Sequence, residues 1–247
     1  MSQMRVAVVT PYFREPLEWL EKCHDSVVGQ SHPCTHFMVA DGFPRSEVAT
    51  WDLEHSALPR GHADYGNTPR TVGSLLANTQ GYDAIAYLDA DNWLYPDHIA
   101  SMVELHEKSG AQLCSATRTI HRLDGSLMFV DQESDGKKHV DTSCLFLTRP
   151  LFRMITIWAM MPSEISAHCD RVFWQALLVR DPPRAHHDKP TIAFRSRYRV
   201  HYESLGETPP EGCINMQDMP NHPSNWWAAQ PAEIRSSWLR YLAIGTW

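Results

Sequence analysis

The chain has 247 residues, of which 43% are hydrophobic and 21% are charged, and its formal net charge is -7. This length and apolar content are sufficient for one large α/β domain and argue against a chain that is disordered throughout. The negative net charge gives no support for nucleic-acid binding. The longest apolar run, MITIWAMM at 154–161, is too short to span a membrane, and if exposed it would be an interface of a homo-oligomer.

The beginning of the chain shows no secretory signal, because the first five residues are mostly polar and the next apolar run covers only 6–9. The six cysteines contain no CxxC pair, so free thiols in a reducing compartment are the simpler interpretation. We therefore expect a cytoplasmic protein without a transmembrane segment.

Short apolar runs alternate with helical patterns through the first half of the chain. Residues 6–9 form a predicted buried strand, helical spacing follows over 16–30, and 37–40 form a second strand. Further elements are predicted as a helix over 46–55, a short strand at 63–65, a helix over 69–80, a strand at 85–88 and a helix over 96–108. This alternation predicts a parallel sheet with helices on both faces.

The second half of the chain is less regular. Strands are predicted at 113–119, 127–130 and 144–148, with a turn at Asp124-Gly125 and a helix that begins near Asp170. The expected fold class is therefore α/β: a single domain with a mostly parallel, Rossmann-like sheet flanked by helices and a small antiparallel extension.

Polar motifs follow three of the predicted strands. They are Thr10-Pro11-Tyr12, Asp41-Gly42 and Asp89-Ala90-Asp91. Since the carboxyl ends of parallel strands meet at one edge, where open α/β sheets bind ligands, we expect these motifs to converge on one site. Polar residues also commonly end strands, which is the alternative.

The spacing of Asp89 and Asp91 points to a cation. Side chains at i and i+2 of an extended segment point the same way, so both carboxylates can face one ligand. Hard oxygen ligands without neighbouring cysteines suit Mg²⁺ or Mn²⁺, which complete their shells with waters and substrate phosphates. The pair therefore predicts a diphosphate-bearing substrate; a simple turn at Asp91-Asn92 is the alternative.

The segments RVAVVTPYFRE, SVVGQSHPCTHFMVADG and GYDAIAYLDADN resemble family-two glycosyltransferases with the GT-A fold. The resemblance covers about residues 5 to 100 and is traceable to about 201. It implies a GT-A domain over 1–205, with a nucleotide-binding half at 1–110 and an acceptor half at 111–205. Residues 206–247 would be a tail that packs on the domain or on a partner.

The resemblance implies a nucleotide site built from the first half of the chain. Pro11 and Tyr12 would lie against the nucleotide, and Asp41 would hydrogen-bond its base, which in this family is most often uracil. Arg70 would sit beside the nucleotide, and Asp89 would face the ribose or the water shell of the metal.

The resemblance also implies a metal ion, Mn²⁺ or Mg²⁺, held by Asp91. Some relatives add a distal histidine ligand, and His201 in RYRVHYE fits that position. An ordinary surface or core histidine is the alternative for His201.

A catalytic carboxylate is implied at the start of a helix behind the acceptor. Asp170 in SAHCDRVFW fits best, although Cys169 stands where the family has glutamate, and Asp141 in HVDTSC is the alternative base. Asp170 could also be a helix N-cap, for which aspartate is favoured.

Three arginines alternate in the segment RSRYR. In an extended segment Arg195, Arg197 and Arg199 would share one face. We expect Arg199, the nearest to His201, to contact the donor diphosphate or an anionic acceptor. Arg195 is expected to lie on a solvated edge strand, where its charge would prevent pairing with another strand.

The implied reaction is inverting transfer of a sugar from a nucleotide sugar, with a UDP-sugar expected, to a carbohydrate or other hydroxyl acceptor. Because spanning helices and a QxxRW motif are missing from the sequence, single-sugar, non-processive transfer is favoured.

Two alternatives to this reaction remain. A nucleotidyltransferase would normally show a glycine-rich loop after the first strand, which TPYFREP lacks. A non-catalytic nucleotide-sugar or glycan binder is favoured only by Cys169. The tail tryptophans (Trp226, Trp227, Trp238 and Trp247) are expected to pack rather than to bind sugar.

Overall fold

The computed structural model describes residues 3–215, 222–242 and 244, which contain nine strands and eight α-helices. The strands are β1 (Val6–Tyr12), β2 (Cys34–Ala40), β3 (Glu54–Ala57), β4 (Ala84–Tyr87), β5 (Trp93–Leu94), β6 (Leu113–His121), β7 (Leu127–Val130), β8 (Leu145–Thr148) and β9 (Arg184–Arg195). The helices are α1 (Leu17–Val28), α2 (Asn67–Thr79), α3 (His98–Ser109), α4 (Ile157–Met160), α5 (Cys169–Arg180), α6 (Arg199–Glu203), α7 (Pro223–Ala229) and α8 (Ala232–Leu242).

One sheet organises the molecule, with the strand order β3-β2-β1-β4-β8-β6-β9-β5 and β7 paired to β6. The strands β3, β2, β1 and β4 run parallel, and β8 is antiparallel to both β4 and β6. The predicted α/β fold with a parallel sheet and an antiparallel extension is therefore confirmed. The carboxyl ends of β1, β2 and β4 meet at one edge, as the sequence predicts.

The helix α2 lies unusually close to the parallel strands. A Cβ atom added to Gly73 would stand 2.7 Å from Cγ1 of Val9 on β1 and 3.1 Å from Cγ2 of Val39 on β2. Only a residue without a side chain allows this approach, which fixes the first turn of α2, with Arg70, against the edge of the sheet.

The apolar run at 154–161 belongs to the core. Met154, Ile155, Ile157 and Trp158 are all buried, and the Trp158 ring stacks on Phe173 of α5 with their ring centroids 4.0 Å apart. The run is therefore not exposed, which was the condition for an oligomer interface at this place, and the possible homo-oligomer stays a prediction.

Three other predicted segments differ from the structure. The helix predicted over 46–55 is replaced by a short 3₁₀ segment, Val48–Thr50, and by β3. The strand predicted at 63–65 is a turn in which Ala63 and Tyr65 adopt left-handed backbone, each with φ 54°. The prediction that the RSRYR segment is extended is also wrong, because β9 ends at Arg195 and α6 begins at Arg199.

The end of the chain packs on the rest of the domain. Trp226 and Trp238 lie against the main core, and Leu242 is buried in it. The helix α7 contacts the 3₁₀ segment Ser163–His168, which leads into α5. The predicted domain boundary after 205 stays a prediction, and Trp247 lies outside the described residues. In the described part of the chain, no helix is both long enough and apolar enough to pass through a bilayer.

Candidate functional site

Two adjoining cavities open where the parallel strands end. The first, called here the strand-edge cavity, has a volume of about 480 Å³ and is lined among others by Pro11, Tyr12, Asp41, Asp89 and Asp91. The second, called the α5 cavity, has a volume of about 700 Å³ and is lined among others by Arg70, Asp89, His139, Asp141, Asp170 and His201. Asp89 lines both cavities and so marks their boundary.

Asp89 is held in place by a buried arginine. Its Oδ1 atom lies 2.8 Å from Nη2 of Arg70, whose side chain is only 2% exposed, and Nη1 of Arg70 donates to Oδ1 of Asn67 at 3.1 Å. The backbone N–H of Asp89 donates to Oγ of Ser143 at 3.1 Å. Burial raises the pKa of Asp89, and Arg70 opposes that shift. Arg70 therefore orients Asp89.

Asp91 faces the strand-edge cavity, and the positive charges near it are those of Arg195 and Arg197. Burial, the Asp89 carboxylate and the Glu15 carboxylate raise its pKa to about 7, with Arg197 opposing the shift. Within the described residues, no ion pair neutralises Asp91. A carboxylate in this position fits a hard divalent cation that takes its other ligands from water and phosphate.

The second predicted metal ligand, His201, lies elsewhere. Its Nδ1 atom is 2.7 Å from Oγ of Ser196, and the side chain lines the α5 cavity rather than the strand-edge cavity that Asp91 lines. Over 3–215, 222–242 and 244, no three His, Cys, Asp or Glu side chains come together as a metal site. A cation in the strand-edge cavity would thus take its ligands from Asp91 and from the substrate.

Asp41 and Tyr12 are each fixed by a histidine. Asp41, buried at the end of β2, accepts a bond from the backbone N–H of His62 at 3.1 Å and lies 2.6 Å from Nδ1 of His62. The hydroxyl of Tyr12 lies 2.8 Å from Nε2 of His55 and accepts from the backbone N–H of Arg45 at 3.2 Å. Sequence reasoning missed both histidines, because His55 lies on β3, where a helix was predicted, and His62 stands in a loop that carries no motif.

Asp170 stands in the first turn of α5 and lines the α5 cavity. The helix begins at Cys169, so Asp170 is not its N-cap. Its Oδ2 atom lies 3.2 Å from Nε2 of His139, and its Oδ1 atom accepts the backbone N–H of Arg171 at 2.7 Å. Burial raises the pKa of Asp170, and His139 opposes that shift. A half-buried carboxylate with a raised pKa is suited to accept a proton.

The carboxylate of Asp141, the alternative base, already interacts with Arg118 and with the backbone of Ser143. It lies 2.5 Å from Nη1 of Arg118 and accepts the backbone N–H of Ser143 at 3.0 Å, which caps a 3₁₀ turn. Cys169 does not replace the glutamate that the family has at this point, because burial raises the pKa of its thiol to about 12 and keeps it neutral.

The arginines of the RSRYR segment separate in the structure. Arg199 pairs with Glu203 at 3.0 Å on the exposed side of α6 and lines neither cavity, so the structure does not place it at the predicted diphosphate contact. Arg195 and Arg197 line the strand-edge cavity instead. Arg195 is buried, and its Nε atom donates to the carbonyl of Asp91 at 3.1 Å, so the expected solvated edge position is wrong for Arg195.

No protein-family model and no curated protein matches the chain. Solved structures of TarS from S. aureus do resemble it. One TarS crystal structure superposes with a TM-score of 0.59 and 13% sequence identity, over 82% of this chain and 38% of that chain. The 1–349 fragment of TarS in complex with UDP superposes with a TM-score of 0.61 and 13% identity, over 96% of this chain and 78% of that one.

A third TarS structure, the 1–349 fragment in complex with UDP-GlcNAc, also gives a TM-score of 0.61 at 13% identity. The chain thus spans well under half of the longest of these TarS chains. A likeness at this level of identity concerns the arrangement of helices and strands. The chain has the GT-A-like fold that its sequence motifs predicted.

Proposed function

We propose that this protein transfers a sugar from a nucleotide diphosphate sugar to the hydroxyl of an acceptor. The observation that carries the proposal is the meeting of two cavities at Asp89, with Asp91 on one side and Asp170 on the other. In this arrangement Asp91 would hold the cation that binds the diphosphate, and Asp170 would accept the proton, on opposite sides of one boundary. The bond to be broken would lie between them.

The strand-edge cavity is proposed to hold the donor nucleotide. Asp41, fixed by His62, and Tyr12, fixed by His55, line the part of the cavity that follows β1 and β2. The fold likeness includes TarS structures with UDP and with UDP-GlcNAc, which supports a UDP-sugar as the donor. Arg197 lines the same cavity and would attract the negatively charged diphosphate.

A divalent cation, Mg²⁺ or Mn²⁺, is part of the proposal. Asp91 fits it, since this carboxylate faces the cavity without an ion-pair partner among the described residues. When bound, the cation would stabilise the negative charge that develops on the leaving diphosphate. Arg195 would fix the position of Asp91 through its bond to the Asp91 carbonyl.

Asp170 is proposed as the general base. Its carboxylate would take the proton from the acceptor hydroxyl while that oxygen attacks the anomeric carbon. Base catalysis of this kind is worth about 10²- to 10⁴-fold in rate. The Nε2 atom of His139 lies 3.2 Å from the Asp170 carboxylate. The Nδ1 atom of His139 is buried and has no hydrogen-bond partner in the described part of the chain. A single base with in-line attack implies inversion, and a single transfer per encounter is expected.

A panel of nucleotide sugars tests the proposal. The panel is screened, with and without Mn²⁺, for a rise in melting temperature, and UDP release is then measured on each hit with glycan and lipid-linked acceptors. Metal-dependent stabilisation followed by UDP release supports a transferase. Stabilisation without turnover on any acceptor would instead favour the non-catalytic binder, whose one supporting feature is the neutral Cys169.

A further inference from the structure

The boundary between the two cavities is largely aromatic. The residues that line both the strand-edge cavity and the α5 cavity are Tyr65, Asp89, Phe194 and Tyr198. The three rings are called here the aromatic junction (Tyr65, Phe194 and Tyr198), and they share this boundary with the single carboxylate of Asp89. Aromatic faces carry partial negative charge and pack on apolar C–H groups, while the carboxylate accepts hydrogen bonds from hydroxyls. A pyranose ring presents both kinds of group.

Two members of the aromatic junction are fixed by the protein itself. The rings of Phe194 and Tyr198 are stacked at an interplanar angle of 8° with centroids 6.2 Å apart. The guanidinium of Arg118 lies over Phe194 at 4.2 Å, and His201 packs against both rings. These two side chains thus form a rigid wall of the junction.

Tyr65 differs from them because it has no such support. Its side chain is 54% exposed, and in the described part of the chain its ring and hydroxyl have no ring or hydrogen-bond partner. An aromatic side chain left open at the meeting point of two cavities has a surface available for a ligand.

The backbone of Tyr65 is held in a conformation that tyrosine rarely adopts. Its φ is 54°, and the following residue, Gly66, has φ 81° at the N-cap of α2. Asp64 fixes the turn, since its Oδ2 atom accepts the backbone N–H of Thr68 at 2.8 Å. A Cβ atom on Gly66 would stand 2.8 Å from Cγ of Pro11, so the turn also lies tightly on the end of β1. Strain that the surroundings impose on one residue is common at functional sites.

We infer that Tyr65 is the residue that recognises the donor's sugar ring, packing its aromatic face against the pyranose opposite Phe194 and Tyr198. This inference rests on the proposed function and deepens it, because it assigns the sugar, as distinct from the nucleotide, to the aromatic junction. Tyr65 thereby determines how well a nucleotide sugar is distinguished from the free nucleotide. The proposed nucleotide contact of Asp41 is a different residue of the strand-edge cavity, so the loss of the Tyr65 ring should leave it in place.

The variant Tyr65→Asn tests the inference, because asparagine tolerates left-handed backbone and removes only the ring. Isothermal titration with UDP, UDP-GlcNAc, UDP-glucose and UDP-galactose in the presence of Mn²⁺ gives a dissociation constant for each. We expect the melting temperature and the UDP affinity of Tyr65→Asn to match wild type, and the affinity for the preferred UDP-sugar to fall about tenfold. Tyr65→Phe, which keeps the ring, should restore that affinity.

Tyr241→Asn is the matched control, because Tyr241 is 55% exposed on α8 and lines neither cavity. It should leave all four dissociation constants unchanged. An unchanged UDP-sugar affinity in Tyr65→Asn would overturn the inference, and so would an equal loss for UDP and for the UDP-sugars, which would mean a general role of the turn. If wild type binds neither UDP nor any UDP-sugar, the proposed function itself fails.

Discussion

Asp91 is the residue on which the metal part of the proposal depends. Its carboxylate faces the strand-edge cavity beside two other carboxylates, Asp89 and Glu15, and the charges of Arg197 and Arg195 oppose theirs. A cation at this point would relieve the repulsion, whereas without one the cluster holds a proton more tightly than an ordinary aspartate does.

The substitution Asp91→Asn should remove the metal dependence of UDP binding. Wild type is expected to bind UDP more tightly with Mn²⁺ than without it, and the variant should bind UDP equally under both conditions, because the amide is a poor ligand for a hard cation. Isothermal titration measures both affinities. Asp124→Asn, at an exposed turn, serves as the control. Equal UDP binding by wild type with and without metal would count against the site.

The substitution Asp170→Asn should separate binding from chemistry. The amide keeps the shape of the side chain but cannot accept the proton, so the transfer rate should fall by about 10²- to 10⁴-fold while UDP affinity stays unchanged. Initial rates of UDP release and titration with UDP measure the two quantities. Turnover of Asp170→Asn at the wild-type rate would mean that the base is another residue, with Asp141 the first to examine.

The pH dependence of transfer should report the environment of Asp170. A general base acts in its deprotonated form, and burial raises the pKa of this carboxyl, so activity should decline on the acid side at a higher pH than an ordinary aspartate would give. The measurement is kcat against pH at saturating substrates. His139→Gln, which removes the opposing charge, should move the decline to still higher pH. A profile that stays flat down to the ordinary range of aspartate would contradict this assignment.

Among the elements, α2 and β1 show how closely the site depends on packing. The substitution Gly73→Val would place a side chain where Val9 already stands, 2.7 Å from the added Cβ. We expect a loss of about 1–3 kcal/mol in the free energy of unfolding, because overpacking a tight core forces neighbours to move.

Leu75→Val is the control for this substitution, because it introduces the same residue into the same helix at a position that is 40% exposed. It should change stability by less than about 0.5 kcal/mol. Urea denaturation compares the two variants. If Gly73→Val is as stable as wild type, the close approach of α2 to β1 is not a constraint on the fold.

The regular elements of the first half could be predicted from the sequence because local pattern and tertiary position agree there. The strands β1, β2 and β4 are apolar runs between helical segments, and all their central residues are buried. The segment 46–55 shows the limit of that reasoning. Its apolar spacing resembles a helix, but the edge of β2 pairs with β3 and draws the end of this segment into the sheet.

The longest strand was not predicted because its sequence does not look like a strand. β9, whose sequence is RAHHDKPTIAFR, begins with a polar stretch and contains a proline. It is defined by its parallel pairing with β6, which no local pattern reveals. The same limit applies at the site: Asp41, Asp89 and Asp91 follow recognisable strands, whereas Arg197 reaches the strand-edge cavity only because β9 ends where it does.

At the scale of the whole molecule, two buried histidines link stability to pH. His36 on β2 and His98 on α3 are fully buried, and burial lowers the pKa of each to about 3. Each histidine has a threonine partner, Thr10 for His36 and Thr191 for His98, at 2.8 Å. In the unfolded chain these histidines bind protons below a pH of about 6.5, whereas in the folded chain they do not.

These two histidines should therefore reduce the stability of the native protein as the pH falls from about 6.5 toward 3, while Asp91, whose raised pKa lets the folded chain bind a proton first, acts in the opposite direction. At pH 5 each histidine costs about 2 kcal/mol relative to neutral pH, since the unfolded state gains protons that the folded state excludes. Urea denaturation at pH 7.5 and at pH 5 measures the loss, and His98→Gln should make it smaller. A loss of the same size in wild type and in His98→Gln would show that His98 is already charged in the native state at pH 5.

The helix α7 closes a cavity whose other walls come from far earlier in the chain. His222, at its start, and Ser224, in its first turn, line the α5 cavity around Asp170. Among the residues that the structure describes, none that lines the strand-edge cavity lies beyond Ile214. A protein shortened to 215 would lose α7 and α8, whose side chains pack on the main core, and would open the α5 cavity around Asp170 to bulk water. Under the proposed function, such a protein should hydrolyse part of its nucleotide sugar and release UDP without a matching amount of glycosylated product, because water could then reach Asp170.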